Sequence, residues 1–97
     1  MRRTSVLEDL GRVPILSNLV APMHPQEIAR RVTQLGYQVG KYGLIKEKQE
    51  DKEPLADIRF TYWHVIIPRV SPGKEEDERV SKLRQTLFEN NIPYMSA

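Results

Sequence analysis

The chain is expected to fold as one α+β domain of the ferredoxin-like kind, a β-α-β-β-α-β sandwich whose four antiparallel strands pack one face against two helices. Three observations lead to this expectation. Residues 25–35 place Ile28, Val32 and Leu35 at i, i+4 and i+7, with Ala29 beside them, which is an apolar stripe of helical period. A second stripe, Val80, Leu83 and Leu87 with Phe88 alongside, follows the acidic run Glu75-Glu76-Asp77-Glu78. Between them lie two stretches rich in β-favouring residues, 37–48 and 57–68, the latter reading DIRFTYWHVIIP.

Taken in order, Ser5-Val6-Leu7-Glu8 has the form of a helix capping box, stopped by Gly11 and Pro14. Residues 1–14 are expected to be an N-terminal arm, flexible or packed on the domain, within a single domain spanning 1–97. Residues 15–20, ILSNLV, lie between Pro14 and Pro22 and are read as the first strand, although so short an apolar run also suits a helix. The first long helix starts near His24-Pro25, since proline suits a first turn and the histidine caps or borders it. Gly36 ends it, because glycine tolerates the left-handed conformation found there. Residues 37–48 and 58–67 then form a long antiparallel hairpin around the polar connection QEDKEPLAD. Pro68 and Ser71-Pro72-Gly73 close it. The second helix covers 74–91, with acids at its N-terminus where the helix dipole favours them. Residues 92–95, IPYM, are the last strand. Without the outer strands at 15–20 and 92–95, the layout becomes α-α-β-β-α, as in a winged helix.

Composition excludes several classes. Hydrophobic residues are 39% and charged residues 29%, which suits a soluble globular domain rather than a disordered chain. No apolar run approaches the roughly 20 residues of a membrane helix. The basic start is interrupted by Glu8 and Asp9, so no signal peptide is expected. The absence of cysteine removes disulfides, thiolate metal sites and cysteine nucleophiles, and is compatible with a cytoplasmic protein. The formal charge of +2 is too mild to imply a polyanion, yet it is unevenly spread. Residues 1–46 carry seven Lys and Arg against three Asp and Glu, whereas 47–57 carry five acids against two lysines.

Catalytic and ligand motifs are sparse. His24 and His64 have no metal-ligand spacing between them, and no nucleophile elbow is present. GYQVGKYG at 36–43 is one residue too short for a phosphate loop, with Tyr42 in place of the hydroxyl residue and a helix rather than a strand before it. A helix-turn-helix reading of 25–37 lacks its second helix. No enzyme activity, metal or cofactor is expected.

The stretch 57–68 carries the functional reading. It holds two of the six Phe and Tyr residues, the only Trp and one of two His. Read as one strand, it puts Trp63, Val65 and Ile67 with Arg59 and Thr61 on the face toward the helices, and Phe60, Tyr62 and His64 on the open face. Exposed sheet aromatics after an Asn-Leu pair (Asn18-Leu19) are similar in layout to RNA-recognition-type domains, which stack bases on them. The basic-Gly-aromatic opening of that motif is absent here, and Ile15 stands where an aromatic is common. The expectation is a non-catalytic binding module working through the open sheet face. Its partner is a protein, either a second copy in a homodimer or a larger assembly, with RNA or single-stranded nucleic acid as the alternative and no membrane. The surface would comprise Phe60, Tyr62 and His64, with Arg30, Arg31, Lys41 and Arg59 supplying positive charge.

Overall fold

The computed structural model describes residues 17, 18 and 20–96. The expected arm at 1–14, with its capping box, lies outside the described residues, as do Ile15, Leu16 and Leu19 of the expected first strand.

Helix α1, Pro25–Gln34, begins where the sequence signals it. His24 is the N-cap, and its Nδ1 accepts a hydrogen bond from the Gln26 amide at 3.1 Å. That bond satisfies one of the backbone donors left over at a helix start. Ile28 and Val32 are fully buried, as the stripe requires. The end is a Schellman motif: the Tyr37 amide donates to the Val32 carbonyl and the Gly36 amide to the Thr33 carbonyl, with Gly36 at φ 102°. Helix α2, Glu78–Glu89, is built the same way. Asp77 caps it by accepting from the Arg79 amide at 2.8 Å. Its Schellman end runs from Ile92 N–H to Leu87 O and from Asn91 N–H to Phe88 O, with Asn91 rather than glycine in the left-handed region at φ 56°. Leu83 and Leu87 are buried, Val80 packs at the margin, and Phe88 faces solvent instead of joining the stripe.

The strands form one mixed sheet in sequential order. Strand β1, Gln38–Val39, pairs with β2, Leu44–Lys46; β2 pairs with β3, Ala56–Arg59; and β3 pairs with β4, His64–Ile67, all antiparallel. The last strand β5, Tyr94–Ser96, lies parallel to β4, with α2 as the crossover between them. Cross-strand partners share a face, so the registers Ile45↔Ala56, Ile58↔Val65 and Val65↔Tyr94 put Ile45, Ala56, Ile58, Val65, Ile67 and Tyr94 on one side. These residues join Ile28, Val32, Leu83 and Leu87 in a single core, so both helices cover the same face. The opposite face carries Leu44, Lys46, Asp57, Arg59, His64, Ile66 and Met95.

The α+β class holds, and the strand order departs from that of the ferredoxin-like sandwich. There the first strand would separate the third from the last; here β4 and β5 pair directly and in parallel. The described part of the 15–20 segment lies outside β5, where Ser17 forms a single bridge to Met95. Asn18 extends no ladder. Its side chain donates to the Ile92 carbonyl at 2.7 Å and accepts from the Tyr94 amide at 3.2 Å. The winged-helix alternative is also not met, since the described residues form a five-stranded sheet that includes 94–96.

The expected hairpin around the polar connection is present as the β2–β3 pair, and each of its arms folds back again into a hairpin of its own, β1–β2 and β3–β4. Residues 40–43 reverse the chain within 37–48, closed by the Gly43 amide on the Gly40 carbonyl at 3.0 Å. Gly43 sits at φ 81°, and a Cβ there would lie 3.0 Å from the Ile58 carbonyl oxygen, so glycine is required twice over. Residues 60–63 then reverse the chain within the stretch read above as one strand: Arg59 pairs with His64, and the Trp63 amide donates to the Arg59 carbonyl at 2.8 Å. The alternation expected along 58–67 therefore stops at Arg59 and restarts at His64. Val65 and Ile67 do face the helices; Trp63 stands on the turn, largely exposed, with its ring against His24 at the start of α1.

Among the described residues one ion pair is shielded from water. Arg84, on the inner side of α2, is 9% exposed and pairs with Glu76. It also reaches Ser96 Oγ at 3.5 Å and lies 5.8 Å from the centre of the Tyr94 ring, while Ser81 Oγ donates to Glu76 at 2.8 Å. The network ties the start and first turns of α2 to β5.

Candidate functional site

The β3–β4 turn brings three aromatic side chains to the surface together. Phe60 is 58% exposed, Tyr62 55% and Trp63 44%. Large apolar groups at such exposure are the informative exception in a small domain, whose apolar residues otherwise fill the core. The β1–β2 turn adds Tyr42 at 75%. Both turns leave the same end of the sheet, because the start of β2 lies beside the end of β3, where the Ile58 amide donates to the Gly43 carbonyl at 2.8 Å.

The turn is fixed from several directions. Trp63 has φ 57°, a left-handed conformation that costs a non-glycine residue about 1–3 kcal/mol and persists only where neighbours impose it. Four contacts oppose that cost. The Trp63 amide is held by Arg59, and the Trp63 carbonyl accepts from the Met23 amide at 3.3 Å. The rings of Trp63 and His24 are 5.1 Å apart with planes tilted by 58°, within the favoured range for aromatic pairs. On the other side, His64 Nδ1 lies 2.6 Å from the Tyr62 carbonyl oxygen. A carbonyl only accepts, so this bond places a proton on Nδ1 of His64. His24 requires the reverse, since its Nδ1 accepts from Gln26.

The expected surface is partly assembled. Phe60, Tyr62, His64 and Arg59 are contiguous along the β3–β4 hairpin, but Phe60 and Tyr62 stand on its turn and not on the open sheet face. His64 is half-buried on that face, next to Arg59. Arg59 pairs with Asp57 at 3.5 Å, which offsets its charge. Lys41 is exposed on the neighbouring turn and makes no ion pair among the described residues. Arg30 and Arg31 are exposed on α1, on the far side of the sheet, and both bind Glu27. The hydrogen bonds from Arg30, then Arg31, hold the Glu27 carboxyl below its usual range. Among the described residues no continuous basic patch surrounds the aromatics. Reading 57–68 as one strand missed Trp63 as a surface group, and the reading of 36–43 did not mark Tyr42 as one. For Tyr42 a signal existed in the flanking Gly40 and Gly43; for Trp63 there was none, as no Gly, Asn, Asp or Pro marks the turn.

Other places offer less chemistry. A cleft of about 360 Å³ along the free edge of β1 is lined by Gln38, Val39, Gly40, Lys46 and Gln49, and one of about 100 Å³ by Arg31, Gln34, Leu35, Asn90 and Ile92. Neither has the apolar lining of a small-molecule pocket. Among the described residues no group of three or more His, Asp or Glu is arranged to hold a metal ion, and no helix is long and apolar enough to cross a membrane. Comparison with protein-family models, curated proteins and solved structures finds no match to this chain.

Proposed function

We propose that this chain is a non-catalytic binding module that docks a protein partner, a second copy or a subunit of a larger assembly, through the aromatic turn Phe60–Trp63 and the adjacent Tyr42. The observation that carries the reading is the exposure of Phe60 and Tyr62 on a turn whose backbone is clamped. Aromatic anchors on a rigid element, with few net charges among them, are the composition of a protein-interface centre. Rigidity matters because an ordered anchor loses little further entropy on docking. The docking end of the sheet replaces the open face as the proposed contact.

A nucleic-acid reading is favoured by one feature: each turn sets a cation beside an aromatic, Lys41 next to Tyr42 and Arg59 next to Phe60. Stacking on such rings contributes about 1–3 kcal/mol per base. Its weight is reduced by the engagement of Arg59 with Asp57 and of Arg30 and Arg31 with Glu27.

Light scattering over a concentration series, with affinity capture in parallel, tests the first reading on wild type and on Phe60→Ser with Tyr62→Ser. Self-association or a captured partner lost in the double variant is the expected result. A chain that stays monomeric and captures the same proteins with and without the two rings removes it. Binding of a single-stranded oligonucleotide that weakens steeply with salt and needs the same rings moves the assignment to nucleic acid.

A further inference from the structure

We propose that His24 is the positioning residue of the aromatic turn, acting through Trp63, and that only its neutral imidazole does so. The proposal rests on the binding role assigned to Phe60 and Tyr62, but its test does not require a partner.

His24 touches both sides of the junction between α1 and the hairpin. Its Nδ1 is committed to the Gln26 amide, and its ring packs on Trp63. The neighbouring Met23 amide holds the Trp63 carbonyl, so residues 23 and 24 together grip the one residue of the turn in a left-handed conformation. Phe60 and Tyr62 precede Trp63 in the same four-residue turn, and their direction follows from its backbone.

Protonation changes the balance at one atom. The proton goes to Nδ1, which then has no lone pair for the Gln26 amide, and the N-cap is lost. The new positive charge also sits at the positive end of the α1 dipole. A cation beside the Trp63 ring is attracted to it, but at an exposed site that gain is smaller than cap and dipole combined. The charged and titratable groups on the surrounding elements are Glu27, Arg30 and Arg31 on α1 and Asp57, Arg59, Tyr62 and His64 on the hairpin. Both carboxylates are occupied, Glu27 by Arg30 and Arg31 and Asp57 by Arg59. Acid therefore releases His24 from the helix start and withdraws the ring that braces Trp63.

Trp63 is the only tryptophan, so its fluorescence reads this junction directly. Wild type is expected to show one transition in emission on acidification, as the cap and the ring contact are lost together. His24→Asn keeps a good N-cap and does not titrate, so the fold is retained by circular dichroism while the transition disappears. His64→Gln retains the transition. Hydrogen exchange separates positioning from mere proximity: protection of the Trp63 amide is lowered at neutral pH in His24→Asn. Flat wild-type emission, a transition that survives His24→Asn or vanishes only in His64→Gln, or unchanged Trp63 protection in His24→Asn each overturns the proposal. Failure of the binding reading appears instead as unaltered association of the Phe60 and Tyr62 variants.

Discussion

The side chain of Asn18 takes the Tyr94 amide and donates to the Ile92 carbonyl, joining residues 76 and 74 positions apart. It does with one amide group what a neighbouring strand would do with backbone. Asn18→Ala leaves both groups without that partner, and an orphaned buried polar group costs about 1–3 kcal/mol. Urea unfolding should show a loss of that size. Asn18→Asp should fall between, since a carboxylate still accepts from Tyr94 but faces the Ile92 oxygen with no proton to offer.

The Arg84–Glu76 pair makes a contrasting prediction. Both side chains are nearly enclosed. Removing one charge strands the other, so Arg84→Ala should destabilise by about 3–5 kcal/mol, whereas Arg84→Met combined with Glu76→Leu should recover most of that loss. Thermal unfolding of the three variants checks the order.

Glycine at 43 should matter more than glycine at 36. Both have positive φ, but a Cβ at 36 meets nothing within 4 Å while one at 43 meets the Ile58 backbone. Gly43→Ala is expected to cost about 1–3 kcal/mol from conformation alone, with the clash added. Gly36→Ala should cost less, as measured by chemical denaturation.

Stability should fall at both ends of the pH scale for separable reasons. Burial raises the hydroxyls of Tyr37 and Tyr94 above their ordinary value. Their contribution is whole below about pH 10, the unfolded tyrosine value, and is lost as pH climbs through the folded one. Asp77 is held low by its bonds to Arg79, and Glu27 by those to Arg30 and Arg31. Their contribution is present above about pH 4 and is lost as pH drops through the folded values. Tyr37→Phe should flatten the alkaline limb and Asp77→Asn the acid limb of an unfolding midpoint measured against pH.

Much of the framework is legible in local sequence. The stripes Ile28–Val32 and Leu83–Leu87, the helix border at His24 and the stop at Gly36 all act within a few residues of where they stand, so period and cap chemistry suffice to find them; the second helix, expected from 74, starts only at Glu78 behind its cap Asp77. Strand 94–96 is likewise short but present. The candidate site was harder to read. Phe60 and Tyr62 were expected as exposed aromatics, whereas Trp63 was placed toward the helices and Tyr42 was not singled out; an alternating apolar run looks the same whether it continues straight or folds back at Phe60–Trp63.

What decides that fold-back is remote from it. Trp63 is held in its left-handed conformation by Met23 and His24, forty and thirty-nine positions earlier, and no turn-forming residue announces it. The same holds for the pairing of β4 with β5 and for the exclusion of Ser17 to the outer edge, both set by which backbone groups meet after the helices dock. Short-range periodicity and capping specify helices because their hydrogen bonds are local. Turn placement and strand order depend on partners distant in the chain, and those become available only when the core of Ile28, Ile58, Val65, Leu83 and Tyr94 closes.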